Sequence, residues 1–388
     1  MRKIMRKVTD LVLGLLMLPM VSVMSLMGQT TAPPAQTFSA TVYLDYRYFL
    51  TNDGPSTLKP TNPATAYLNN QFVFRRAYFT YEHKFGDNLK FRFRLDADNT
   101  ANVTGVTLSG TPPTASTSKD DKLRPFMKHL YLEYSNFLIP KMVLNVGMIE
   151  TLTFKPAEDR WGLRSVAKTL MDGYKDITKK DIYSTSADIG VTLKYSVAKY
   201  FRLAGGYYNG AGYSKAENDQ YKEVELQAQI TPFAGLSIVG YYDHERKLPV
   251  ASLPDETKPV QNIIKVDAFF ERIKNLTLGA EWFVFKNDLY QTGGVKYDVG
   301  GWSVFGRYIV KPDKLALFAR YDDYMPNELD RDLDMSLIIA GFDWAPFHPS
   351  WKLQQNIWLL DYADGTRYLA GATKNSDILF NLTFFLSF

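Results

Sequence analysis

The segment Leu89–Asn99 places Lys90, Arg92, Arg94, Asp96 and Asp98 at every second position, with Leu89, Phe91, Phe93, Leu95 and Ala97 between them. A β-strand sends alternate side chains to opposite faces, so this spacing makes one ionic face and one apolar face; a helix would mix the two sets. Rows of fixed charge select among ions where they line a water-filled pore. Arg202, Arg307 and Arg320 are candidates for the same ionic surface, and Glu133, Glu225, Asp267, Glu271 and Glu281 are candidates to oppose them. A second charged set, Glu150, Lys155, Glu158, Asp159, Arg160, Arg164, Lys168, Asp172 and Lys175, crowds one long connection. There the pattern predicts a short helix over Trp161–Met171, with Arg164 and Lys168 on one face at i, i+4.

Catalytic chemistry has little to stand on. His83, His129, His244 and His348 are far apart, with no HExxH spacing, and read as interfacial residues rather than ligands. There is no GxSxG elbow and no GxxxxGK[ST] phosphate loop. The chain has no Cys, which excludes disulfides and thiolate metal sites. The expectation is a protein that is not an enzyme and uses no cofactor or metal.

The elements that position these charges repeat the period of two. Val224, Leu226, Ala228 and Ile230 alternate with Glu223, Glu225, Gln227 and Gln229, and Ile378 through Phe388 alternate at the C-terminus. About sixteen strands follow, roughly 38–50, 70–84, 89–99, 126–137, 141–150, 185–197, 200–209, 221–231, 235–244, 261–272, 276–287, 299–310, 314–323, 334–345, 350–362 and 377–388. Ser237–Asp243, Leu337–Asp343 and Lys352–Tyr362 are apolar on both faces, so the pattern gives a strand there and not its orientation. Most strands match the roughly 9–11 residues that cross a bilayer at a tilt.

Short connections (85–88, 135–140, 198–199, 232–235, 273–275, 311–313, 346–349) alternate with long ones (51–69, 99–125, 150–184, 210–220, 245–260, 287–298, 324–333, 363–376). That is the layout of an all-β transmembrane antiparallel β-barrel, with short periplasmic turns and long extracellular loops. Closure satisfies every strand edge in lipid. Sixteen strands leave a channel, so the ionic face is expected to line a wet lumen and the apolar face to meet outer-membrane lipid and lipopolysaccharide. Tyr43, Tyr46, Tyr48, Phe79, Tyr81, Tyr131, Tyr134, Tyr207, Tyr241, Tyr242 and Phe318 are expected in aromatic girdles. Gly110–Lys119 is low in complexity and reads as a mobile loop.

Residues 1–28 read as a secretory signal, with Arg2, Lys3, Arg6 and Lys7 before the apolar Leu11–Met27. Residues 29–37 are expected as an N-terminal periplasmic segment and 38–388 as the barrel. The 388-residue chain carries a formal charge of +4. Removing 1–28 lowers Lys+Arg from 45 to 41 and Asp+Glu from 41 to 40, so the mature chain is close to neutral. Export excludes nucleic acid as a partner.

The residues resemble a family. Phe74–Tyr78 (FRRAY), Val146–Gly147 leading into Thr151–Thr169, Ala187–Thr192 (ADIGVT), Leu203–Gly212 (LAGGYYNGAG) and a terminal Phe388 resemble bacterial outer-membrane porins, in particular the phosphate-selective porin O and P type. The resemblance implies a sixteen-stranded barrel in a Gram-negative outer membrane, often a homotrimer, passing small hydrophilic solutes or ions. It implies that Phe388 is the assembly signal. It also implies that the third long loop, 150–184, folds into the barrel as a constriction, with Arg160, Arg164 and Lys168 facing carboxylates across the lumen. Phosphate selectivity would need a dominance of Arg and Lys along the lumen, and the sequence shows mixed charge. The alternative function is a structural or adhesive barrel whose loops bind a partner.

Overall fold

A computed structural model describes residues 36–50, 70–98, 102–109, 114–120, 124–182, 185–217, 219–368 and 374–388. The expected signal and most of the segment before the barrel lie outside them. Sixteen antiparallel strands close into a barrel: β1 (Gln36–Phe49), β2 (Asn70–Lys84), β3 (Leu89–Asp98), β6 (Arg124–Ser135), β7 (Met142–Glu150), β8 (Ala187–Ala198), β9 (Phe201–Tyr208), β10 (Glu223–Phe233), β11 (Leu236–Arg246), β12 (Val260–Phe270), β13 (Leu276–Thr292), β14 (Val295–Lys311), β15 (Leu315–Met325), β16 (Met335–His348), β17 (Trp351–Tyr362) and β18 (Ser376–Ser387). A two-stranded sheet, β4 (Asn102–Ser109) with β5 (Thr114–Asp120), stands apart from the barrel. Part of the stretch expected as a low-complexity loop is therefore paired.

The seam joins β1 to β18 from Thr41↔Ser387 to Phe49↔Leu379. Ala40 and Phe388 exchange backbone hydrogen bonds of 2.8 and 3.0 Å at its end. Sixteen strands leave no open edge, which is the condition for a sheet in lipid.

Alternate residues face in and out as period two requires. On β10 the outward Leu226 is 55% exposed and the inward Glu225 is fully buried. Trp282, Trp302, Val304, Leu317 and Ile338 are likewise exposed outward, while Glu281, Ser303, Arg320 and Asp322 are buried inward. The barrel is inside-out relative to a soluble protein: polar within, apolar without.

The expected girdle needs correction. Tyr48, Phe79, Tyr207 and Tyr242 are exposed, but Tyr43, Tyr131, Tyr241 and Phe318 are buried on the inward face. The connection expected over 287–298 is also not an irregular loop. β13 and β14 extend until Gly293 and Gly294 turn the chain, with φ of 58° and 81°. Positive φ at both central residues is the two-residue hairpin geometry that glycine provides.

Residues 150–182 of the third long connection fold against the inner wall. Helix α1 (Lys155–Trp161) has Pro156 in its first turn and ends at Gly162, φ 63°, whose N–H donates to the Glu158 carbonyl. Helix α2 (Leu170–Thr178) follows Thr169 and ends at Lys179 in the left-handed region. The single helix expected over Trp161–Met171 is thus two, because Gly162 stops the first one. Arg164 and Lys168 sit on the turns between them.

Trp161 is fully buried, edge-on to Phe305 at 5.4 Å and Phe318 at 5.8 Å. Tyr174 is edge-on to Phe283 and Tyr324, both at 5.4 Å. Leu163, Val166, Leu170 and Met171 join Ile263, Phe269, Val299, Leu337, Ile339 and Leu360 of the wall in one apolar cluster. This explains the segments apolar on both faces: one face is turned outward and the other packs with this loop. The apolar content is not only an outer wall, because part of it forms a core inside the barrel.

Candidate functional site

Two irregularities decide what the basic side of the lumen presents. On β2, Tyr43 pairs with Arg76 and Leu44 with Phe74, so Arg75 is an extra residue in the ladder. On β6, Arg94 pairs with His129 and Leu95 with Met127, so Lys128 is extra. A β-bulge inserts one residue and re-aims its neighbours. Arg75 and Arg76, adjacent in sequence, both reach inward, as do Lys128 and His129. Period two alone predicts that the adjacent Arg75 and Arg76 face opposite ways, with one of them at the interface, and the bulge corrects this. An Arg left on the lipid face at mid-depth would cost roughly 2–4 kcal/mol. His129, expected at an interface, is buried inside, 3.9 Å from Glu150.

These residues converge on Tyr78. Arg76 donates to its hydroxyl at 3.1 Å, and Arg164 lies 3.4 Å from the same oxygen. Arg94 sits 5.1 Å and Lys128 6.0 Å from the ring centroid. Such cation–ring contacts contribute about 0.5–2 kcal/mol each, more when desolvated. Arg94 also donates to Thr80 at 2.8 Å. Asp96, fully buried, lies 3.1 Å from Arg76 and 3.4 Å from Lys128. Asp98 is 3.0 Å from Arg76.

A cavity of about 510 Å³ opens between this wall and α2. Its charged lining is Arg47, Arg75, Arg76, Arg164, Lys168, Lys179 and Arg320, with only Asp98 and Asp176 of opposite sign. The compensating carboxylates stand behind the cations. Asp45 is 3.1 Å from Arg75 and 3.0 Å from Arg47. Asp322 is 2.7 Å from Arg320. Both are about 1% exposed or less. The guanidinium groups are thereby fixed in place along the cavity. A smaller cavity of about 200 Å³ lies toward the short turns, lined by Lys90, Arg92, Glu133, Glu150, Lys155 and Lys194 among others. There Lys90 is 3.1 Å from Glu133 and Arg92 is 3.4 Å from Glu82.

The sequence-picked residues thus divide. Asp98, Arg164, Lys168 and Arg320 line the larger cavity; Lys90, Arg92 and Glu133 line the smaller. Arg94 and Asp96 support the wall around Tyr78. Arg160 lines neither cavity; it is 3.7 Å from Glu271 and 5.2 Å from the Phe269 ring. Sequence reasoning passed over Arg47, Lys179 and Lys128 and left one of Arg75 and Arg76 at the interface. The signal for the bulges was present: Arg75–Arg76 and Lys128–His129 are polar pairs that break an otherwise alternating strand.

The expected pairing of loop cations with carboxylates across the lumen is largely replaced by pairing within the loop. Arg164 bonds Glu158 and Asp172, and Lys168 is 3.0 Å from Asp176. Burial opposes the Asp172 charge, but the Arg164 guanidinium and then Lys168 outweigh it and hold the carboxyl down to about 2. The distant wall is acidic and occupied with its own partners. Lys265 is 2.6 Å from Asp267 and 3.3 Å from Glu281. Glu225 accepts the Leu152 N–H at 2.8 Å and the Tyr241 hydroxyl at 2.8 Å, which ties the base of the loop to β10. Arg307 is 3.7 Å from Asp343, and Arg202 is exposed. Among the described residues, no group of three or more His, Cys, Asp or Glu is arranged to hold a metal ion.

No protein-family model matches the chain, and no curated protein does. Solved structures do. The anion-selective porin from Comamonas acidovorans aligns with a TM-score of 0.61 at 12% identity, covering 92% of this chain and 100% of that one. The outer-membrane OmpT of Vibrio cholerae aligns at 0.58 and 14%, covering 93% and 99%. The outer-membrane channel DcaP of Acinetobacter baumannii aligns at 0.56 and 14%, also covering 93% and 99%. Strand number, closure and inside-out polarity agree with these likenesses: the chain has the fold of the outer-membrane porins.

Proposed function

We propose that this protein is an outer-membrane porin that passes small hydrophilic solutes by diffusion and prefers anions. Residues 150–184 form its constriction. The observation that carries the reading is the larger cavity, with seven cations and two carboxylates on its surface and the other carboxylates buried behind. Because each guanidinium is already partly neutralised, the passage attracts anions without trapping them, as conduction requires. The narrower phosphate assignment of the sequence resemblance remains a refinement of this reading.

Residues 1–28 act as a cleaved export signal, lipid and lipopolysaccharide cover the outer wall, and the functional unit is a homotrimer. Phe388, at the closing seam, serves as the assembly signal.

Planar-bilayer recording tests this. The expected result is a stable ohmic conductance with a reversal potential of anionic sign in a salt gradient, and a larger conductance on deleting 156–176. Phosphate block of the chloride current would support the narrower assignment. A second reading, an adhesive barrel with a closed lumen, draws on the apolar seating of α1 and α2 against β12–β15. It predicts no conductance.

A further inference from the structure

We infer that the two β-bulges, at Arg75 and at Lys128, make the barrel-wall side of the passage cationic and so strengthen its anion preference. The inference rests on the porin reading above and names the wall residues that add to it. The buried and half-buried inward charges of β1, β2, β3 and β6 comprise the cations Arg47, Arg75, Arg76, Lys90, Arg92, Arg94 and Lys128 and the carboxylates Asp45, Glu82, Asp96, Asp98 and Glu133. Seven cations face five carboxylates, an excess of two. The bulges contribute two cations, and both are extra residues in their ladders. Regular strands would therefore leave this wall neutral.

Each extra cation acts through a stated contact. Arg75 lines the cavity, donates to the Val166 carbonyl at 2.8 Å and shares Asp45 with Arg47. Lys128 lies buried between the rings of Tyr213 at 4.9 Å and Tyr78 at 6.0 Å, 3.4 Å from Asp96. Lys128 shares Asp96 with Arg76, so that carboxylate is set against two cations rather than one. Fixed charges separated by less than the Debye length of roughly 10 Å at 0.1 M salt act together on a passing ion, so the preference should weaken as salt rises.

Reversal potentials of the full-length protein in a tenfold KCl gradient test this, with the Arg75→Gln/Lys128→Gln double variant against wild type. The expected result is an anion-over-cation permeability ratio that falls about twofold but stays above unity, because Arg47, Arg76, Arg164, Lys168, Lys179 and Arg320 still line the larger cavity. The charge-retaining pair Arg75→Lys/Lys128→Arg should hold the wild-type ratio. A heat-shifted gel band confirms that each barrel has closed. Should the double variant not assemble, Arg75→Lys/Lys128→Gln keeps a cation at the Val166 contact and should lose about half the shift. A conducting double variant with the wild-type ratio overturns the inference, as does a wild type that conducts without anion preference. A wild type that does not conduct overturns the porin reading itself.

Discussion

Arg75 of the barrel wall donates to the backbone carbonyl of Val166 in the inner loop at 2.8 Å. The wall therefore grips the loop by its main chain, independently of the side chain at 166. The loop answers in kind, since Arg164 lies 3.4 Å from the hydroxyl of Tyr78 on the same strand as Arg75. The passage lies between two surfaces tied together along one side.

The apolar seat of the loop should be its main support. Trp161 is fully buried, stacks edge-on against Phe305 and Phe318, and donates from Nε1 to the Ala167 carbonyl at 2.9 Å. Trp161→Ala should destabilise the docked loop by about 3–5 kcal/mol. Single-channel conductance should rise and become noisier, and the loop should become cleavable by trypsin. Wild-type conductance and protection in this variant would show that α1 is held by something else.

Acid should loosen the packing of the two loop helices on each other. The Asp172 carboxyl is held down to about 2 from its ordinary 3.8, chiefly by Arg164 against the opposing effect of burial. A depressed folded-state value means that the ion pair stabilises fully above about pH 4 and is lost as pH falls toward 2. Conductance recorded from pH 7 down to 2 should change within that window. Asp172→Asn should show the acid-state conductance already at neutral pH. A wild-type trace that stays flat to pH 2 counts against the pair as a brace within the loop.

The extended β13–β14 hairpin should steady the far end of the loop. Lys180 lies 4.2 Å from the Tyr290 centroid and 4.6 Å from that of Tyr297, and bonds the Tyr297 hydroxyl. Tyr290 in turn donates to the Asp181 carbonyl. Tyr290→Ala/Tyr297→Ala should remove roughly 1–2 kcal/mol of cation–ring attraction and lengthen closures in current records. Unaltered closure statistics would assign the hairpin no part in holding the loop.

Gly147 should be indispensable to barrel closure. Its φ is 131°, and a Cβ there would run into the Leu130 carbonyl and Tyr131 Cα across the ladder. Gly147→Ala should abolish the compact, heat-shifted gel form, because backbone rather than a pliable side chain must move. A normal heat shift in that variant would show that β6 and β7 can part.

Much of the wall is legible from alternation alone. The charge row from Lys90 to Asp98 and the apolar row from Ile378 to Phe388 mark β3 and β18 nearly to their ends. Three things are not. A bulge changes register without changing composition, so Arg75 and Lys128 look like errors in a pattern rather than its functional departures. Helix ends in the loop depend on Gly162 adopting a left-handed conformation, which competes with the helical spacing of Arg164 and Lys168. Lumen residues such as Phe283 and Leu337 look like misplaced wall until their partner in the loop is known. Their two-sided apolar pattern nonetheless marks the part of the wall that is covered from within.

That two-sided character has a consequence for biogenesis. From Ile263 on β12 to Leu379 on β18, the strands carry inward apolar side chains that the loop helices help to cover. These strands mix apolar side chains with charged ones such as Lys265, Glu281 and Asp322 on their inner face, whereas the inner face of β3 is charged from Lys90 to Asp98. The apolar part of that inner face is covered only once α1 and α2, which precede these strands in the chain, pack against it. On the proposed reading of an exported barrel, a segment made before the C-terminal strands completes their lining.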